Sequence, residues 1–217
     1  MASILITGAT GFLTAAATTP DTRPSKGNSK LKEVILSNES KWTAWPEEIS
    51  EQIGNVDACI WTIGLFYYPD KATLSRISID YTMRDGLRML LAKRSGDSKA
   101  PLRFAYISGG MTERDPTRSI WIKAELRRVR GEAENQLLAL AESEGPGKLN
   151  LAIARPGRVL GAKDSWPAIN WIMPAIIGLP LVHVDALATA LVTAALQGCS
   201  RQFLENTDLV EYGKVKV

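Results

Sequence analysis

The sequence predicts a doubly wound α/β domain in three layers, with a largely parallel sheet between helices. Three observations predict it. Short apolar, β-prone runs lack polar alternation, as suits strands covered on both faces. Helical patterns lie between them. The clearest strand ends carry Gly, Ser or Pro, the residue types that line a crevice beyond the carboxyl ends of parallel strands.

The elements follow in chain order. Ile4-Leu5-Ile6-Thr7 is the first strand and runs straight into Gly8-Ala9-Thr10-Gly11-Phe12. Lys32 to Leu36, centred on Val34 and Ile35, is the second. Val56 to Gly64 is the third. Ile77 to Arg94 carries Ile77, Tyr81, Leu87, Leu90 and Leu91 near helical spacing. Leu102 to Ile107 is the fourth strand and ends at Ser108-Gly109-Gly110. Ser119 to Ser143 is the strongest helix, with Leu126, Val129, Ala133, Leu137, Leu140 and Ala141 on one face. Gly145-Pro146-Gly147 ends it. Leu149 to Ala154 is the fifth strand, followed by Arg155-Pro156-Gly157, and Asp185 caps a helix over Ala186 to Leu196. Gly8–Phe12, Ile63–Phe66, Ser108–Met111 and Arg155–Val159 should therefore converge on one crevice.

At 217 residues the chain fits a single domain, 1–217, able to bury a core without staples. It is 45% hydrophobic and 23% charged, which excludes disordered, collagen-like and coiled-coil classes. The net charge of +3 is too small for a nucleic-acid partner. Basic residues gather at Lys123 to Arg130, but Arg128–Glu132 and Arg130–Glu134 are i, i+4 pairs that read as a solvated helix face. Cys59 and Cys199 have no metal-ligand spacing, Cys59 reads as a buried hydrophobe, and His183 is the one histidine, so no metal is expected. Few cysteines and no signal peptide lead us to expect a cytoplasmic protein. The apolar stretch Trp166 to Val184 holds Pro167, Pro174, Pro180, Asn170 and His183, which argues against a membrane span.

Thr7-Gly8-Ala9-Thr10-Gly11-Phe12 lies where a dinucleotide loop belongs, after an N-terminal strand. There a first glycine permits the turn and a second lets backbone approach a pyrophosphate. Together with Cys59 to Gly64, Asp80-Tyr81-Thr82, Tyr106-Ile107-Ser108-Gly109, Arg130 to Asn135, Arg155-Pro156-Gly157 and Val182 to Ala188, the chain resembles the atypical and extended short-chain dehydrogenases/reductases (SDRs). The resemblance implies a Rossmann-like fold, NADP or NAD as cofactor, and cofactor contacts from Thr7, Gly8, Thr10, Gly11, Phe12, Gly64, Arg155 and Pro156. It also implies that Ser108 polarises a substrate carbonyl and that residues 158–184 cover the substrate.

Three departures stand against the family pattern. The loop's third glycine position holds Thr14. The stretch from Gly11 to Val34 is too short for a helix and a strand together, so the first helix, the second strand or both are shortened or lost beside the adenosine site. Arg23, within Thr22-Arg23-Pro24, reads either as a remnant of the family's arginine for a 2′-phosphate or as a loop residue. The catalytic Tyr-x-x-x-Lys is replaced, with Leu126 at the tyrosine position and Arg130 at the lysine position. Leucine gives no proton, and arginine keeps the charge with a different geometry. Leu126 is expected to be buried.

Tyr67 and Tyr68 follow the third strand and are candidates for the missing acid, beside Ser108 and Arg130 as catalytic groups; packing or a substrate wall is the alternative. Tyr106 reads as core, and Lys123 as a surface lysine able to swing in. Trp166, Trp171 and Met173 suit a small apolar substrate or, equally, core or a homodimer interface. His183 reads as a core or rim residue. Three functions are open: an NAD(P)(H)-linked reductase or dehydrogenase; a non-redox isomerase, cyclase or lyase on an apolar substrate; and an inactive dinucleotide-sensing protein.

Overall fold

The strands alternate in side-chain size as well as direction, and this builds the three layers. In the computed structural model, which describes residues 3–8, 47, 51, 53, 55–94, 100–161, 178–212 and 214, β1 (Ile4–Thr7), β2 (Ala58–Trp61), β3 (Leu102–Ile107), β4 (Leu149–Arg155) and β7 (Phe203–Glu205) form one sheet in the order β1-β2-β3-β4-β7. Every neighbouring pair is parallel. β5 (Arg158–Leu160) and β6 (Leu181–His183) make a separate parallel pair just past the end of β4.

On one face β2, β3 and β4 present Cys59, Trp61, Phe104, Tyr106, Leu151 and Ile153. These pack against Leu126, Val129, Ala133 and Leu137 of α3 (Ala124–Glu144). They also meet Leu74, Leu87 and Leu90 of a second helical run: α1 (Lys71–Ser75), a π-helical stretch (Arg76–Arg88) and α2 (Met89–Lys93). On the other face stand Ala58, Ile60, Ala105, Ala152 and Ala154. Small residues there let α4 (Val184–Gln197) approach the sheet through Leu187, Ala190, Leu191 and Ala194, with α5 (Asn206–Tyr212) adding Leu209. The rule is large side chains under α3 and small ones under α4, and period-2 alternation delivers it.

The expected first, third, fourth and fifth strands are all present, β3 within its expected bounds and β4 one residue longer. Residues Thr62 to Gly64 leave the sheet and turn into the crevice. The helix expected from Ile77 starts earlier, at Lys71, because Asp70 caps it: its Oδ1 accepts from the Thr73 N–H at 2.8 Å. π-winding explains why the apolar spacing is irregular between Tyr81 and Leu87. Gly86 sits where a Cβ would lie 2.7 Å from the Trp61 ring, so this helix can rest directly on the indole. The strongest helix starts at Ala124 rather than Ser119, and Gly145 ends it as expected, donating to Ala141 O at 3.1 Å. Asp185 is not the cap expected of it: the helix begins at Val184, and Asp185 lies in its first turn, where a carboxylate favours the helix dipole. β5, β6, β7 and α5 were not expected. The expected second strand, Lys32 to Leu36, lies outside the described residues. Among the described residues no helix is long and apolar enough to cross a membrane.

Candidate functional site

Four strand ends meet as the alternating pattern requires. At the end of β1, Thr62 ties two turns together. Its Oγ1 donates to Thr7 O at 2.6 Å, and its N–H donates to Thr7 Oγ1 at 3.2 Å. Gly8 follows with φ +70, and a Cβ there would lie 2.5 Å from Thr62 Oγ1. Glycine is therefore required both by the left-handed turn and by the close approach. Gly64, one turn on from Trp61, has no described atom within 4 Å of where its Cβ would be. At the end of β3, Ser108 N–H donates to Ala154 O at 2.9 Å and Gly110 N–H to Pro156 O at 2.7 Å, so the β3 and β4 turns are stitched together. The Ser108 hydroxyl is buried and shares a 2.9 Å hydrogen bond with Thr112 Oγ1.

The helix α3 brings a stripe of three residues to this place: Leu126, Arg130 and Glu134, at i, i+4 and i+8. Leu126 is 3% exposed and belongs to the core, as expected. Arg130 reaches over the crevice, with Nη1 and Nη2 donating at 3.4 Å to Ser108 O and Leu65 O. Burial pulls its guanidinium below the ordinary value, opposed by the field of the Tyr106 phenol and the Glu134 carboxylate. Glu134 is wholly buried and is bound by Arg155 Nη2 and, at 3.0 Å, by Arg155 Nε. Arg155 also contacts Glu205 at 3.2 Å and lies 4.3 Å over the Phe203 ring. The hydrogen bond to Glu134 raises its guanidinium further.

Two expectations are corrected here. Arg130–Glu134 is not part of a solvated face, because that side of α3 is turned to the sheet and Glu134 pairs across to β4. Arg155 is not open to a cofactor, since two carboxylates and a ring occupy its guanidinium. Glu132 faces out and pairs with Gln136 at 2.8 Å, while Arg128 donates to Arg118 O at 3.1 Å.

The loop after β2 and the start of α3 form the rim. Tyr67 is 84% exposed, whereas Tyr68 is half-buried and hydrogen-bonded to Glu125. Desolvation first and Glu125 second push the Tyr68 phenol up, so it keeps its proton at neutral pH. Lys123 stands just before α3 with φ 49, the left-handed region, at a cost of about 1–2 kcal/mol for a residue with a Cβ. Its Nζ lies 3.2 Å from the centre of the Phe66 ring and 5.2 Å from that of Tyr67. Desolvation and the charge of Arg130 lower its ammonium. Tyr106 is buried core, as expected, with its phenol pushed up to about 12 by desolvation. Burial likewise pushes the Cys59 thiol up.

The structure thus brings Thr7, Gly8, Gly64, Ser108, Arg130, Tyr68 and Pro156 to one end of the sheet. Thr10, Gly11, Phe12, Arg23, Trp166, Trp171 and Met173 lie outside the described residues. Thr62, Thr112 and Glu125 were missed as site residues, whereas Lys123 was read as a surface lysine able to swing in. Threonines beside glycine turns carry no motif, and nothing in the residues around Lys123 signals a left-handed backbone. Among the described residues no group of His, Cys, Asp and Glu could hold a metal ion.

No protein-family model matches the sequence, and no curated protein matches it. Solved structures do. RMD from Pseudomonas aeruginosa, solved with NADPH, is 20% identical with a TM-score of 0.53, covering 93% of this chain and 77% of that one. UDP-N-acetylglucosamine 4-epimerase from Methanobrevibacter ruminantium M1, solved with UDP-N-acetylmuramic acid, is 12% identical with a TM-score of 0.60, covering 94% of this chain and 76% of that one. 3-Oxoacyl-[acyl-carrier protein] reductase from Brucella melitensis is 14% identical with a TM-score of 0.52, covering 73% and 65%. At these identities the likeness is one of fold: this chain is built on the Rossmann-like fold of the SDR and epimerase enzymes.

Proposed function

We propose that the chain is an NAD(P)(H)-binding SDR-like enzyme acting on a small apolar organic molecule. The observation that carries this reading is Arg130, a cation held between the carboxyl ends of β2 and β3, where it donates to the backbone carbonyls of Leu65 and Ser108. The described residues fit a dinucleotide at that end: Gly8 leaves out a Cβ that would crowd the turn, and no described atom lies within 4 Å of where a Gly64 Cβ would be. Structures of the same fold were solved with NADPH or with NAD. When bound, the nicotinamide supplies or accepts a hydride.

The chain's own residues have separable tasks. Thr62 ties the end of β1 to the turn after β2 and so fixes the place at which the chain enters Gly8. Arg130 has five N–H donors and, among the described residues, spends two at long range, which leaves donors for a ribose diol or a developing oxyanion. Ser108, held by Thr112, can donate to a substrate oxygen. Tyr68, whose phenol desolvation and Glu125 push up, keeps a proton that it could give to a substrate.

One observation favours a second reading. Leu126 fills the position of the family's phenol and is buried, so the usual proton donor is absent from α3. In this reading the crevice promotes isomerisation, cyclisation or elimination without redox chemistry. Calorimetric titration with NADPH and NADH separates the two: saturable binding below millimolar supports the first, and no binding up to millimolar overturns it. Turnover that persists without nucleotide and is lost in Ser108→Ala supports the second.

A further inference from the structure

We propose that the rim formed by the loop after β2 and the start of α3 is a binding site for an apolar carboxylate or phenolate, and so that the substrate of this enzyme is an amphipathic anion. This deepens the small-molecule reading and rests on it.

Charge points to an anion. Lys123 and Arg130 repel one another across the rim. Among the described residues neither has a carboxylate within salt-bridge distance, although five other cation–carboxylate pairs are formed elsewhere. Glu125, the acid closest in sequence to Lys123, is engaged by the Tyr68 phenol. Lys123 Nζ stands on the face of Phe66, which attracts a cation yet leaves its N–H donors unspent. A bound anion would give Arg130, which is half-buried and donates to the Ser108 carbonyl, and the exposed Lys123 the carboxylate partner that neither has within salt-bridge distance among the described residues.

Surface chemistry points to an apolar body. Phe66 is 54% exposed, Tyr67 84%, Trp121 94% and Ile122 53%, and they flank Lys123 in the same two segments. Large apolar side chains exposed together mark a site of interaction. Arg130 is half-buried and bonded to the carbonyls of Leu65 and Ser108, which favours a small molecule's anionic group over a protein surface as its partner.

Backbone chemistry agrees. Lys123 occupies the N-cap position of α3 without a capping hydrogen bond, and it alone of the described non-glycine residues has positive φ. A residue that breaks two local rules at a crevice mouth is held there for something other than helix stability.

The test is calorimetric titration of the full chain with 2-naphthoate and with its neutral isostere 2-naphthamide. We expect naphthoate to bind at least about tenfold more tightly, with the preference falling as salt is raised, as expected of a charge-assisted contact. Lys123→Met should abolish the preference and Lys123→Arg should keep it. Equal affinities, a preference indifferent to both salt and Lys123→Met, or no binding of either probe would overturn the proposal. So would competitive displacement of naphthoate by NADPH, which would give the cations to the dinucleotide. NADPH binding without naphthoate binding defeats this inference alone. Naphthoate binding without NADPH binding upholds it and removes the redox reading instead.

Discussion

Two arginines under one helix have opposite surroundings. Arg155 is gripped by Glu134 and Glu205 and covered by Phe203, and its charge is raised and satisfied. Arg130, one turn along α3 from Glu134, has two carbonyl oxygens at 3.4 Å as its hydrogen-bond partners among the described residues, and burial works against its charge. The first neighbourhood closes the fold where α3 meets β4. The second leaves hydrogen-bonding capacity pointed at the crevice. A guanidinium close to Glu134 therefore does not have one fixed role; the partners around each arginine decide it.

The largest effect should come from Arg155. Arg155→Met strands the wholly buried Glu134 carboxylate and should cost about 3–5 kcal/mol in denaturant unfolding. Arg130→Met removes a desolvated cation that no carboxylate pairs within salt-bridge distance among the described residues, and it should shift stability by less than about 1 kcal/mol. Equal losses in the two variants would erase the comparison.

Tyr106 lies between these neighbourhoods and sharpens it. Its phenol is pushed up to about 12 mainly by desolvation, with the field of Arg130 drawing it down and that of Glu134 pushing it up. A group whose pKa is raised by folding contributes stability that is complete below its unfolded value, near 10, and is lost as pH climbs from there toward 12. Unfolding free energy should thus fall by on the order of 2 kcal/mol across that window, and Tyr106→Phe should remove this slope. A wild-type slope unchanged in Tyr106→Phe would place the alkaline weakness elsewhere.

The effect of Gly8 is of the same order. Gly8→Ala forces a Cβ to within 2.5 Å of Thr62 Oγ1 at a positive φ, and should cost about 1–3 kcal/mol, measured by denaturant unfolding. A loss confined to nucleotide affinity would show that the turn relaxes freely.

The frame of the site was legible because it rests on period and punctuation. β3 and β4 announced themselves through six or seven apolar-rich residues stopped by Ser108-Gly109 and Pro156-Gly157, and Leu126 through its place on the apolar stripe of α3. β5, β6 and β7 have three residues each, too few for a pattern, and exist because neighbouring strands supply their hydrogen bonds. Glu134 and Arg155 lie far apart in the chain, so local i, i+4 spacing favoured the wrong partner for Glu134. Lys123 is exposed, as its reading as a surface lysine had it, but the aromatic ring beneath it comes from another segment and left no local signal.

The central claim is that Arg130 is a ligand's arginine, and one measurement tests it most directly. The thermal midpoint of the wild-type chain and of Arg130→Met is followed with and without millimolar NADPH or NADH. The two midpoints should coincide without nucleotide. Nucleotide should raise the wild-type midpoint, and Arg130→Met should lose most of that rise. A wild-type midpoint that neither nucleotide moves, or a rise that survives undiminished in Arg130→Met, would contradict the claim.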